Sequence, residues 1–111
     1  MKRTHRLGRG KDLNLLFTRG LRFHSPLFHV SVRAEPRSDS GTSRFVFVVP
    51  RSVDKRAVVR NRLRRRAREY IRRRMAVLPG ASDIAITIKK EAAVVNRRDF
   101  YVELQNLLAR L

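Results

Sequence analysis

The sequence predicts an α/β fold of the α+β sandwich kind, a small sheet with a central basic helix, ordered helix, strand, strand, helix, strand, helix. Three observations predict it. Two runs alternate polar and apolar residues with period two, and a third is continuously apolar, which gives strands. Two others repeat apolar residues every three or four positions, which gives amphipathic helices. Turn formers separate them. At 111 residues this is one domain, 1–111, able to bury roughly two-thirds of its unfolded surface.

Residues Met1 to Gly10 hold five basic side chains, two glycines and one apolar anchor, Leu7, and read as an irregular basic arm. Lys11 to Arg19 places Leu13, Leu16 and Phe17 on one side and stops at Gly20, a natural helix end. Leu21 to Pro26 reads as a connection. Leu27 to Arg33 is a strand, with Phe28, Val30 and Val32 on one face and His29, Ser31 and Arg33 on the other. Ala34 to Ser43 is a hydrophilic loop expected to point away from a polyanion, since it carries Glu35 and Asp39. Arg44 to Val49 reads as a central strand covered on both faces, ended by Pro50.

Asp54 to Met75 is the basic helix, with Asp54 as expected N-cap. Val59, Leu63, Ala67, Tyr70 and Ile71 form its apolar stripe. Asn61, Arg65, Arg68 and Arg72 share the opposite face, with Arg64 beside them. Leu78-Pro79-Gly80 breaks the chain. Asp83 to Lys89 alternates Ile84, Ile86 and Ile88 against Ala85, Thr87 and Lys89, a third strand. Asn96 caps a last helix with Asp99 in its first turn, and Phe100, Leu104, Leu107, Leu108 and Leu111 on its apolar side.

Lys and Arg total 27 against 9 acids, a net charge of +18. That excess favours nucleic acid or an anionic membrane over a small-molecule substrate. A membrane-active helix would not need apolar strands beside it, and no apolar run approaches the roughly 20 residues of a membrane span. With no cysteines there are no disulfides, thiolate metal sites or Cys nucleophiles. The basic start has no apolar segment behind it, so it is no secretory signal, and a cytoplasmic protein is expected. A solvated helix face normally mixes signs, yet among the arginines of the basic helix stands only Glu69, four residues after Arg65 at salt-bridge spacing. The repulsion opposes folding, and a polyanionic partner would offset it. Arg suits this, because its planar fork matches phosphate bidentately.

The segment Lys55-Arg56-Ala57-Val58-Val59-Arg60-Asn61-Arg62-Leu63-Arg64-Arg65, followed by Arg68-Glu69, closely resembles the signature helix of the bacterial ribonuclease P protein component. His5-Arg6-Leu7 with Lys11-Asp12 resembles the family's opening. The resemblance implies a domain like one found in a ribosomal protein and an elongation factor, with a left-handed crossover around the basic helix. It implies a subunit of a ribonucleoprotein endonuclease that removes the 5′ leader of precursor tRNA, with the chemistry done by the catalytic ribonuclease P RNA and its Mg²⁺.

Two surfaces follow as expectations. Lys55, Arg56, Arg60, Asn61, Arg62, Arg64, Arg65 and Arg68 contact folded RNA through phosphates, 2′-hydroxyls and shape. A groove between the first helix and the sheet holds leader nucleotides through Phe17, His29, Ser31, Arg33 and Leu13. There the sequence departs from the family, since Leu13 and Ser31 stand where Phe and Tyr are usual. No catalytic residue and no metal ligand is expected on the chain itself. It has no D-x-D, H-E-x-x-H or Gly-rich phosphate loop, and His5, His24 and His29 lack ligand spacing.

Overall fold

Among the described residues, a four-stranded sheet carries two helices on one face. The computed structural model describes residues 20–33, 44–74 and 83–110. The strands are β1 (Leu21–His24), β2 (Phe28–Arg33), β3 (Arg44–Val48) and β4 (Asp83–Ile88), and the helices are α1 (Ala57–Arg72) and α2 (Arg97–Leu108). A 3-10 turn, Lys90–Ala93, joins β4 to α2. The basic arm, the expected first helix with Leu13 and Phe17, the 34–43 loop, Leu78-Pro79-Gly80 and Leu111 lie outside the described residues.

The sheet order is β1-β2-β4-β3. β2 pairs antiparallel with both β1 and β4, whereas β3 runs parallel to β4. A parallel pair needs a crossover rather than a hairpin, and α1 lies within the chain that supplies it. Alternation sorts the two faces. Phe28, Val30, Val32, Phe45, Phe47, Ile84, Ile86 and Ile88 point to one side and are all buried. Onto this layer α1 packs Val59, Leu63, Ala67, Tyr70 and Ile71, the five residues its period predicts. α2 adds Phe100, Leu104 and Leu107, with Leu108 partly buried. Phe100 meets Phe28 edge-on, with ring centroids 5.1 Å apart. Asn96 caps α2 as expected, its side chain accepting from the Asp99 N–H at 2.8 Å.

Four expectations need correction. Leu21 to Pro26 is not merely a connection, because Leu21–His24 pairs with β2 as an edge strand. The Ser25 hydroxyl oxygen accepts from the N–H groups of Leu27 (3.3 Å) and Phe28 (3.0 Å), closing the turn between the two strands. β3 is not central but an edge strand among the described residues. It is buried on one face and half-covered on the other; β2 and β4 are the inner strands.

Asp54 is not the N-cap. Arg56 occupies that position without a side-chain cap, and the helix starts at Ala57. Asp54 instead organises the preceding turn. Its carboxylate accepts from the Arg56 backbone N–H at 2.8 Å and from both Nε and Nη2 of Arg56 at 3.1 Å. Finally, Glu69 pairs with Arg72 at 2.8 Å rather than with Arg65. Both spacings reach along a helix face, and Glu69 takes the arginine toward the C-terminus.

The Arg56 side chain, then its backbone N–H, hold the Asp54 carboxyl down from an ordinary 3.8 to about 2. A depressed acid stabilises the fold fully above its unfolded value and loses that contribution as pH falls through the folded value. Thermal melts of wild type should therefore show a loss between about pH 4 and pH 2 that Asp54→Asn lacks. Identical profiles for the two proteins would refute this role.

Candidate nucleic-acid interface

The second sheet face is basic and polar over β1 and β2 and turns apolar toward the β3 edge, where Ala85, Val46 and Val48 lie. It carries Arg22 and His24 from β1, His29, Ser31 and Arg33 from β2, Thr87 from β4 and Arg44 from β3. Arg44 forks onto Asp83, with Nε–Oδ1 and Nη2–Oδ2 both 2.9 Å, so this mostly buried acid is paired as low dielectric requires. His24 and His29 lie with rings 4.4 Å apart. Burial, and then the nearby charges of His24, Arg22 and Lys89, push the His29 pKa below 6.5, so at neutral pH it offers a neutral ring and one N–H donor. Ser31 is fully buried and its hydroxyl has no hydrogen-bond partner among the described residues. It therefore offers a ligand no surface, and of the expected groove residues His29 and Arg33 are the described ones that remain half-exposed.

α1 presents the second basic surface, and the structure divides its expected contacts by what they already hold. Arg62 and Arg65 are exposed and Arg68 half-exposed, and none has an ion pair among the described residues. Lys55, exposed, likewise stands unpaired ahead of the helix. Arg56 is exposed but chelated by Asp54. Arg60 turns back, its Nη1 donating to the backbone carbonyls of Asp54 and Lys55 at 2.9 Å each, and so locks the turn before the helix. Arg64 donates to Asn61 Oδ1 at 2.6 Å. That leaves the Asn61 amide nitrogen as a donor and holds Arg64 in one direction.

Three of the six described acids are committed to arginines. Asp54, Glu69 and Asp83 are each bonded to one, and no group of three or more His, Cys, Asp or Glu is placed to hold a metal among the described residues. Nor is any described helix long and apolar enough to cross a membrane. This arrangement can neutralise and orient phosphates, with arginine forks fixed on a helix that is itself fixed on a sheet.

The family model described as Ribonuclease P matches residues 1–111. The chain belongs to the ribonuclease P protein family. It is 34% identical to the ribonuclease P protein component of Microcystis aeruginosa, over 96% of this chain and 89% of that one. Among solved structures, the RNase P protein from Thermotoga maritima superposes with a TM-score of 0.83 at 31% identity, covering 96% of both chains. The Staphylococcus aureus RNase P protein reaches 0.86 at 19% identity, with 96% and 94% coverage, a likeness of fold.

Set beside the ribonuclease P signature helix, one basic surface escaped the sequence reading. Arg97 and Arg98 open α2 and, with Arg62, Arg65 and Arg66, line a groove of about 750 Å³ between the two helices. Nothing in their local spacing signals this. They are adjacent in sequence, and only the packing of α2 beside α1 brings them near arginines some thirty positions earlier.

Proposed function

We propose that the chain is the protein subunit of a ribonucleoprotein endonuclease, binding a catalytic RNA through α1 and the 5′ leader of precursor tRNA across the polar sheet face. Membership of the ribonuclease P family implies a role in maturing the tRNA 5′ end. The observation that carries the RNA contact is the set Arg62, Arg65 and Arg68, without an ion pair among the described residues and mounted on a helix whose other side is core. Helical RNA hides its bases in a deep, narrow major groove, so these forks meet phosphates, while the Asn61 amide suits a 2′-hydroxyl. Cleavage chemistry and Mg²⁺ belong to the RNA in this reading. The protein lowers the metal requirement by neutralising backbone charge, and grips the leader with His29, Arg33 and Phe17.

Reconstitution tests it. Added to a bacterial ribonuclease P RNA, the protein should restore precursor tRNA cleavage at Mg²⁺ concentrations where the RNA alone is slow, and precursor affinity should fall as the leader is trimmed. Cleavage unchanged by the protein would refute the reading. Affinity indifferent to leader length would refute the sheet-face contact alone.

A further inference from the structure

Among the described residues, the groove between α1 and α2 is lined by seven arginines and one carboxylate, Glu69, which is bonded to Arg72. Three features show that this charge is not arranged for the free protein. Arg97 and Arg98 occupy the first turn of α2, where the helix dipole makes cations unfavourable. Arg66 is half-buried, its guanidinium 5.2 Å above the Phe100 ring. Burial and then Arg97 lower its pKa, Tyr101 opposes them and Arg62 lowers it further, so like charges crowd it from two sides. Tyr70, which also lines the groove, is buried, and its hydroxyl has no hydrogen-bond partner among the described residues.

We propose that this groove is a second phosphate-binding surface, taking the backbone of an RNA strand that continues from the outward face of α1 onto the first turn of α2. Arg62 and Arg65 belong to both the groove and the basic face of α1, so the two are continuous. α1 and α2 cover the sheet face opposite His29 and Arg33; a strand here is therefore distinct from one on the polar face. An open groove walled by planar forks suits a chain of phosphates rather than a carboxylate ligand. The inference rests on the RNA reading above and adds a contact surface to it.

Arg97→Gln with Arg98→Gln in the full chain tests it, because both side chains are exposed and the fold should survive. Binding to a bacterial ribonuclease P RNA is measured across a salt series. Losing two phosphate contacts should flatten the log–log slope by about 1.5–2 and weaken binding roughly 30-fold at physiological salt. The Lys pair at the same positions should keep most of the slope. A steep wild-type slope left unchanged in the Gln variant overturns the groove while sparing the α1 reading. A flat wild-type slope overturns both.

A second readout is built into the chain, which has two tyrosines and no tryptophan. Both tyrosines, Tyr70 and Tyr101, line the groove, their rings 5.4 Å apart. Tyrosine emission should respond saturably to tripolyphosphate in wild type and not in the Gln variant. That response together with an unchanged RNA slope would assign the groove to free polyphosphate and overturn RNA as its occupant.

Discussion

Replacing Arg62, Arg65 and Arg68 together with Gln should weaken binding to a bacterial ribonuclease P RNA about a hundredfold at physiological salt. Each arginine that neutralises a phosphate releases counterions and contributes roughly 0.7–0.9 to the log–log salt slope. If six to eight phosphates are engaged, the wild-type slope is about −5 to −7, and the triple variant should be shallower by about 2–3 units. These three are chosen because their forks are unpaired among the described residues. Arg56→Gln should do less, since Asp54 already holds that guanidinium. Arg60→Gln should act on the turn before α1 rather than on the salt slope.

Stability separates this from a folding defect. Arg62, Arg65 and Arg68 follow one another at three-residue spacing, where like charges cost a few tenths of a kcal/mol per pair. Their removal should leave the melting temperature unchanged or raise it, while affinity falls. Parallel salt plots for wild type and variant would show that these arginines do not meet phosphate.

What the sequence made legible follows from where each signal resides. The α1 stripe was readable because Val59, Leu63, Ala67, Tyr70 and Ile71 repeat within one continuous segment, and all five are buried. The Asn96 cap was readable because capping is a contact over three residues. β1 was not, because four residues, all but the half-buried Phe23 exposed, carry too short an alternation to stand out, and their pairing depends on the Ser25 turn. The run Arg44–Val48 suggested a central strand because both its faces are apolar. Its place at the edge is set instead by parallel pairing with β4 some forty residues later. Glu69 had arginines within reach on both sides, and spacing alone does not choose between them; it pairs with Arg72. The outward face of α1 was visible for the reason the stripe was. The groove with α2 was not, because it exists only once two separate helices lie side by side.

Phe100→Ala should be the most damaging single change to the free protein. Phe100 is fully buried. It meets Phe28 at 5.1 Å and Tyr101 at 5.9 Å, both edge-on, and sits beneath Arg66. Truncating a buried phenylalanine costs about 3–5 kcal/mol, a transfer term plus a cavity, and edge-to-face pairs add about 0.5–1.5 kcal/mol each. A domain of this size is stable by only about 5–15 kcal/mol, so the melting temperature should fall by about 15–30 °C. Phe100→Leu keeps most of the volume and should cost less. A ligand that binds only the folded state restores stability by mass action, about 2.7 kcal/mol at a hundredfold excess over Kd. Saturating RNA should therefore rescue much of the Phe100→Ala loss, whereas a fall under about 5 °C would mean that Phe100 does not tie α2 to the sheet. The rescue should be smaller when Arg97→Gln and Arg98→Gln are added, since α2 would then gain nothing directly from the RNA.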